Sequence, residues 1–180
     1  MTSPEEYFSR SIMLYGREGF EVLGKSTVAV VGLGGVGSWA AEALCRAGVG
    51  GLRLIDCDTV KATDVNRQLI ALRTNEGVRK VDAAEERLRQ VNPEARLDPR
   101  HAFFHHDTAD ELLGGDIDFV IDAIDSMNPK SSPRFAVSQR YHHGLCQKRG
   151  PHEWSRRPKP STGHSSSPTR MTPRPPTCCS

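Results

Sequence analysis

Three apolar runs along the chain predict the strands of one sheet. Residues 27–31 and 52–55 are rich in branched aliphatic side chains and have the length of buried strands, and residues 119–123 repeat the pattern. Helical segments alternate with these runs, and such an α/β rhythm is typical of parallel sheets. The pattern therefore predicts an α/β fold, a Rossmann-like open sheet of about three mostly parallel strands with helices on both faces.

Two stretches place apolar residues three and four apart, which predicts one helical stripe in each. The stripe of the first helix, from Val36 onward, comprises Trp39, Ala40, Ala43, Leu44 and Ala47. The stripe of the second comprises Val78, Val81, Ala84, Leu88 and Val91. Glycines within residues 47–51 end the first helix, and Asn92-Pro93 ends the second.

Two further elements have weaker patterns. Residues 96–104 make a poor strand candidate, because Pro99 favours either an edge strand or a break. Thr108 and Glu111 have the spacing of a capping box, which predicts a short helix over residues 109–113.

Composition divides the chain near Lys130. Residues 1–130 carry 15 Lys and Arg against 21 Asp and Glu, whereas residues 131–180 carry nine against one. Eight of the 12 prolines also lie after Lys130, where few Ile, Val, Leu, Met or Phe residues remain. Such a stretch buries too little apolar area to offset its ordering entropy. We predict a domain over residues 1–130 that lacks its later strands, followed by a disordered tail over residues 131–180.

Three explanations of the tail are open. It is a basic segment that touches RNA, a solvated linker, or a sequence never selected to fold. The abrupt change just after a strand favours the last. Arg, Pro, Ser, His, Trp and Cys in place of aliphatic residues are what a shifted reading frame in GC-rich coding DNA gives.

The sequence indicates neither a membrane protein nor a secreted one. No apolar run approaches the ~20 residues of a membrane span, and the N-terminus is acidic and polar rather than a secretory signal. The five cysteines form no C-x-x-C pair, which excludes a four-cysteine zinc site within this chain, and their spacing suggests no disulfide framework. These features predict a cytoplasmic protein.

A glycine-rich turn after the first strand predicts a nucleotide site. Gly32, Gly34 and Gly37 fill the three glycine positions of such a turn, and Gly35 lies within it. Glycine lets the chain fold back sharply and lets backbone N–H groups approach a phosphate. Asp56 follows nineteen residues after Gly37, where these folds place the acid that holds a ribose hydroxyl.

Charged residues after the second strand suggest that the phosphates take part in the chemistry. Arg67 stands in an Asn-Arg-Gln block, where a plain dehydrogenase has no fixed need for a cation. Asp122 and Asp125 lie at the carboxyl end of the third strand, which is where ligands bind to a parallel sheet. The order of these residues favours ATP.

Five ordered blocks carry a resemblance to a known family. They are VGLGGVGSWAAEAL, LIDCDTV, NRQLIAL, RLRQVNPEA and DAIDSMNPK, and together they cover roughly residues 7–130. In these blocks the chain resembles the ubiquitin-activating-like superfamily, which includes the adenylating enzymes of molybdopterin and thiamine sulfur-carrier proteins. Within it, the sequence is most similar to the tRNA threonylcarbamoyladenosine dehydratases.

The resemblance implies a role for each matching residue. Asp56 matches the acid that binds ribose, and Arg67 and Lys80 match the cations that bind the phosphates. Asp125 matches the acid that supports Mg²⁺ and the transferring phosphate. Arg10 matches, more loosely, an arginine that reaches into the site of a partner subunit.

Two neighbouring acids have less definite implied roles. Asp58 assists with the ribose or the metal, or is a solvated loop acid. Asp64 departs from the family, which usually has asparagine there, and its carboxylate would add negative charge beside the phosphates.

The implied activity is ATP-dependent dehydration of threonylcarbamoyladenosine in tRNA, by adenylation of a carboxylate and then cyclisation. It needs no thiol, and DAIDS in place of a DCTDN-like block agrees with it. Adenylation of a ubiquitin-like sulfur-carrier C-terminus, an NAD(P)-binding oxidoreductase and an inactive truncated fragment stay open as alternatives. The implied ligands are ATP and Mg²⁺. The implied partners are tRNA, a second copy in a homodimer, and sulfur-transfer proteins.

Overall fold

The computed structural model of the chain describes residues 4–125 and 146–147. The helices are α1 (Pro4–Tyr7), α2 (Ser9–Lys25), α3 (Gly37–Ala47), a 3₁₀ helix (Ala62–Asp64), α4 (Lys80–Val91) and α5 (His106–Leu112). The strands are β1 (Thr27–Val31), β2 (Gly51–Asp56), β3 (Arg96–His101), β4 (Phe119–Asp122) and β5 (Cys146–Gln147).

The strands form one open sheet in the order β3-β2-β1-β4-β5. The first four are parallel to their neighbours, and the two residues of β5 pair antiparallel with β4. The sequence prediction of an open, mostly parallel sheet is thus confirmed. Strand order also brings the carboxyl ends of β1, β2 and β4 side by side, and these ends position the candidate site.

Alternate residues of the central strands belong to two separate apolar clusters. Val28 and Val30 of β1 pack in a cluster with α3 and α4, whereas Ala29 and Val31 pack in a second cluster with α5. Because side chains of a strand alternate between faces, these clusters lie on opposite faces of the sheet. Helices therefore cover both faces, as predicted.

The doubtful strand candidate is an edge strand. β3 pairs with β2 alone, and Pro99 lies opposite Leu54 in that ladder. An edge strand needs only one row of hydrogen bonds, so it tolerates a residue that lacks an N–H group. A polar cross-strand pair also holds it, because Arg53 on β2 donates to Asp98 at 2.7 Å.

The helix predicted from Val36 onward is confirmed as α3, but its apolar stripe is not the buried face. The buried residues of α3 are Gly37, Ser38, Ala41, Glu42 and Cys45, whereas Trp39 and Ala43 are exposed. Two polar side chains belong to the buried face, and both have hydrogen-bond partners. A prediction that counts only apolar residues as buried places such polar side chains in solvent. It therefore assigns the wrong face of the helix to the core. The predicted end of this helix is confirmed, since Gly48 caps it with φ +95°.

The predicted capping box is also wrong. α5 begins at His106, and the box is formed by His105 and Thr108 instead of Thr108 and Glu111. The His105 ring nitrogen accepts from the Asp107 N–H at 3.2 Å, and the Thr108 hydroxyl accepts from the His105 N–H at 3.0 Å. Histidine is not among the usual N-cap residues, so the helix begins earlier than the sequence indicates.

Most of the predicted tail lies outside the described residues, as does the predicted domain boundary near Lys130. Cys146 and Gln147 of that tail are described, and they form β5. Within the described part of the chain, no helix combines the length and apolar character of a membrane span.

Glu42 joins α3 to α4, and its loss is expected to destabilise the fold. The side chain is buried and accepts from Arg46 at 2.8 Å and from Arg87 at 2.9 Å. We expect Glu42→Ala to lower the free energy of unfolding by about 2 kcal/mol, since two arginines then lose their acceptor. Glu85→Ala removes an ordinary pair with Arg89 within α4 and should cost about 0.5 kcal/mol or less. Urea denaturation compares the two, and equal losses would contradict the expectation.

Candidate nucleotide-binding site

Close backbone contacts explain the glycines of the turn between β1 and α3. Gly32 has φ +87°, and a Cβ built on it would lie 2.9 Å from the Ala123 carbonyl oxygen. A Cβ on Gly37 would overlap the Gly32 carbonyl oxygen. A Cβ on Gly34 would instead meet no atom within 4 Å. Gly32 and Gly37 therefore shape the turn, whereas Gly34 leaves open space beside it.

Asp56 ties the end of β2 to this turn. One oxygen of its carboxylate accepts from the Leu33 N–H at 2.6 Å, and the other accepts from the Asp58 N–H at 2.8 Å. The carboxylate thus lies against the glycine turn, as predicted from the sequence. Both oxygens keep lone pairs for a further donor such as a ribose hydroxyl.

Lys80 and Asp58 form an ion pair at the start of α4. Their Nζ and Oδ2 atoms lie 3.1 Å apart, and the backbone N–H of Lys80 also donates to the Asp58 carbonyl at 3.0 Å. The lysine side chain is only 7% exposed, whereas that of Asp58 is 52% exposed. A buried ammonium group with one exposed counter-charge can exchange that partner for a phosphate. Asp58 links the lysine to Asp56 and so to the turn.

Arg67 lies beside the turn with its guanidinium group accessible. The side chain is 56% exposed, and its aliphatic stem passes 3.5 Å from the position of a Gly35 Cβ. One terminal nitrogen donates to the Thr63 carbonyl and to Asn66 Oδ1, each at 3.0 Å. These contacts direct the cation while leaving donors free for an anion.

Asp64 does not point at solvent beside the phosphates. It is 5% exposed and accepts from the Lys61 N–H at 3.0 Å and from the Gln68 amide at 2.9 Å. It also lies 3.7 Å from Arg67. The Asp64 carboxylate, which the sequence suggests as extra negative charge at the phosphates, is thus enclosed in the loop. There it accepts hydrogen bonds that hold the backbone around Arg67.

Asp125 follows the segment that lines the other side of the turn. The Ala123 N–H donates to the Val31 carbonyl at 2.8 Å, and the Ala123 carbonyl lies against Gly32. Asp125 comes two residues later and is exposed. The backbone that leads from β4 to Asp125 thus passes beside the turn at Ala123.

Arg10 belongs to an N-terminal helix instead of the glycine turn. It lies exposed on α2, which precedes β1. The structure brings together Asp56, Asp58, Lys80, Arg67 and the glycine turn, and leaves the role of Arg10 a prediction.

Ser38 and Trp39 also contact the site, and the sequence did not single them out. The Ser38 hydroxyl donates to the Gly34 carbonyl at 2.7 Å and accepts from the Leu69 N–H at 3.1 Å. The Trp39 indole N–H donates to the Arg67 carbonyl at 3.1 Å. A polar residue directly after the last glycine of the turn is the only sequence signal for this contact.

Cys45 and Cys57 are poor nucleophiles. Burial, with the nearby Glu42 carboxylate, raises the pKa of the Cys45 thiol to about 11. Burial and the carboxylates of Asp58 and Asp56 raise the pKa of Cys57. Because only the thiolate attacks an acyl group, neither residue suits a step that captures an activated carboxylate.

The residues present fit a nucleoside triphosphate. The open space at Gly34 leaves the turn accessible, Asp56 provides the ribose acceptor, and Lys80 and Arg67 provide cations for phosphates. Mg²⁺ commonly binds through one or two carboxylates together with substrate phosphates. The exposed Asp125 fits that requirement, and Asp56, Cys57 and Asp58 also place possible ligand atoms within 4.8 Å of one another.

Known proteins share this sequence and fold. The ThiF family matches residues 8–143. The tRNA threonylcarbamoyladenosine dehydratase of Escherichia coli is 44% identical over 125 residues, which cover 69% of this chain and 47% of the relative. Molybdopterin-synthase adenylyltransferase of Escherichia coli is 36% identical over 122 residues, which cover 67% of this chain and 49% of that protein.

A solved structure of the Escherichia coli dehydratase in complex with ATP superposes with a TM-score of 0.71 at 40% identity. The match covers 77% of this chain and 57% of that one. The chain thus spans about half the length of the curated relatives that it matches. Family match, sequence identity and fold agree with the site geometry, and the chain belongs to the ThiF family.

Proposed function

We propose that this chain binds ATP at the glycine turn and contributes that site to the adenylation of a carboxylate. The observation that carries the proposal is the convergence on one turn of an acid that suits ribose, Asp56, and two cations, Lys80 and Arg67. Solved structures of the Escherichia coli dehydratase in complex with ATP and with AMP support the choice of an adenine nucleotide. The family also favours this reaction over NAD(P)-linked oxidoreduction.

In the proposed reaction a carboxylate oxygen of the substrate attacks the α-phosphorus of ATP. The bond between the α- and β-phosphates breaks, and pyrophosphate leaves with the electron pair. Lys80 and Arg67 neutralise the charge that grows on the phosphate oxygens, which is where enzymes place fixed cations. Mg²⁺, held by Asp125, would supply further neutralisation when bound.

We propose threonylcarbamoyladenosine in tRNA as the substrate. Its carboxylate, once adenylated, is attacked by a group of the same side chain, so that the ring closes and AMP leaves. The raised pKa values of Cys45 and Cys57 agree with this route, because it needs no thiol to accept the acyl group. The higher identity to the dehydratase, 44%, than to the molybdopterin-synthase adenylyltransferase, 36%, also favours it.

Adenylation of a sulfur-carrier C-terminus is the second candidate. It uses the same nucleotide site and differs in the carboxylate that is adenylated. A homodimer, in which Arg10 reaches the partner's site, and a cytoplasmic location belong to the same proposal. So do Mg²⁺ at Asp125 and the contact of Asp58 with ribose or metal.

Product analysis with the full chain tests the substrate. The chain is incubated with ATP, Mg²⁺ and tRNA that carries threonylcarbamoyladenosine, and digested nucleosides are identified by mass spectrometry. We expect the dehydrated nucleoside and AMP in equal amounts, and formation of both about 10²-fold slower with Lys80→Met. Pyrophosphate exchange that depends on a sulfur-carrier protein instead of tRNA would favour the second candidate.

A further inference from the structure

The first turn of α3 contacts the segment of residues 63–69, called the Arg67 segment below, at two points. Ser38, which is 2% exposed, accepts from the Leu69 N–H at 3.1 Å. Trp39 donates its indole N–H to the Arg67 carbonyl at 3.1 Å. One contact fixes the carbonyl of Arg67 and the other fixes the amide of Leu69. Together they set the direction of the backbone around Gln68.

The same serine also holds the glycine turn. Its hydroxyl donates to the Gly34 carbonyl at 2.7 Å while it accepts from Leu69. One buried hydroxyl thus joins the phosphate-binding turn to the arginine segment. Since Gly34 leaves open space at the turn, this link lies next to the place proposed for phosphate.

The guanidinium group of Arg67 depends on this backbone. Its side-chain hydrogen bonds go to Thr63 and Asn66, and its ion pair goes to Asp64. All three partners belong to the same segment, so the segment moves the cation with it. Arg67 reaches a phosphate at the turn only if the segment is held against the turn.

We infer that Ser38 and Trp39 are positioning residues that hold the Arg67 segment on the glycine turn. They touch neither the reacting atoms nor the nucleotide in this role. They act by keeping the Arg67 cation at a fixed place relative to the phosphates. The inference rests on the proposed function for its effect on ATP, and on the hydrogen bonds of Ser38 and Trp39 for the contact itself.

ATP–Mg²⁺ affinity of the full chain, measured by calorimetry, tests the effect. We expect Ser38→Ala and Trp39→Phe each to weaken binding about fivefold to tenfold, the usual scale for one hydrogen bond. Ser38→Thr keeps the hydroxyl and should restore most of the affinity. Ser26→Ala removes a hydroxyl that bonds only within α2 and should change nothing.

A double-mutant cycle separates positioning from a general loss of structure. In an Arg67→Ala background, Ser38→Ala should weaken ATP binding less than twofold further, because the cation to be positioned is gone. Equal losses in both backgrounds would overturn the inference. Where Ser38→Ala fails to fold, Trp39→Phe at its exposed position provides the same cycle.

Amide hydrogen exchange of the ligand-free full chain tests the contact without ATP. We expect Ser38→Ala to speed exchange of the Leu69 amide at least tenfold while core amides of β1 keep their rates. An unchanged Leu69 rate would overturn the inference. If the parent chain binds no ATP, the proposed function fails, and the exchange result still decides whether Ser38 holds the segment.

Discussion

Gly37→Ala is expected to prevent the chain from forming its native glycine turn. A Cβ at this position would overlap the Gly32 carbonyl oxygen and would lie 3.1 Å from the Ala123 Cβ. The first obstacle is backbone, so no side-chain rotation relieves it. We expect a loss of about 4 kcal/mol or more in the free energy of unfolding, which is the range of severe overpacking.

Gly34→Ala should separate binding from folding at the same turn. A Cβ on Gly34 meets no atom within 4 Å and its φ is not positive, so the free energy of unfolding should change by about 0.5 kcal/mol or less. The added methyl group enters the open space proposed for phosphate, and ATP affinity should fall about tenfold or more.

Urea denaturation and calorimetric titration on the full chain measure the two glycine variants. Gly24→Ala is the matched control, because its Cβ also meets no atom within 4 Å and it lies on α2. It should leave both stability and ATP affinity near parent values. A stable Gly37→Ala protein, or unchanged ATP affinity in Gly34→Ala, would contradict the described turn.

Lys80→Met is expected to reduce ATP affinity and any adenylation rate by about 10²-fold. The substitution keeps much of the side-chain length and removes the cation that faces the developing phosphate charge. Stability should change little, because the lysine side chain is 7% exposed and methionine removes a charge from a buried position. Its partner Asp58 is half-exposed and regains water.

Asp58→Asn should lower stability and leave ATP affinity intact, the opposite of what is expected for Lys80→Met. It leaves the buried Lys80 without its counter-charge, so the ligand-free chain should lose about 1 kcal/mol of stability. ATP affinity should stay the same or rise, because the phosphate no longer competes with a carboxylate for the lysine. Thermal denaturation with and without ATP compares the two variants. Weaker ATP binding in Asp58→Asn would instead support a direct contact of Asp58 with ribose or metal.

The strands and the glycine turn could be predicted because their patterns are local. Apolar runs of four or five residues mark β1, β2 and β4, and backbone contacts at Gly32 and Gly37 admit no side chain. Asp56 lies at the end of β2. Because β2 is the neighbour of β1 in the sheet, this position places Asp56 beside the turn that follows β1. The resemblance to the family rests on these same blocks.

Buried polar contacts could not be predicted in this way. Ser38 and Glu42 lie on the buried face of α3 because each has partners on other elements, Leu69 for one and Arg87 for the other. These partners are distant in sequence, so no local pattern shows them. These distant partners explain both errors of the sequence prediction, namely the wrong buried face of α3 and the omission of Ser38 from the site.

Asp64 shows how a change of residue type can mislead. A carboxylate in place of the usual asparagine suggests extra negative charge at the phosphates. The structure encloses that carboxylate among the Lys61 N–H, the Gln68 amide and Arg67. Whether a charge faces a ligand depends on the path of the loop, which the sequence does not reveal.

Calorimetric titration of the full chain with ATP, in the presence and absence of Mg²⁺, tests the central proposal most directly. We predict saturable binding by the parent chain, and weaker binding by Asp125→Ala only when Mg²⁺ is present. Such a result would place the nucleotide at the turn and the ion at Asp125. Absence of binding by protein shown to be folded would contradict the proposal that these residues form an ATP site.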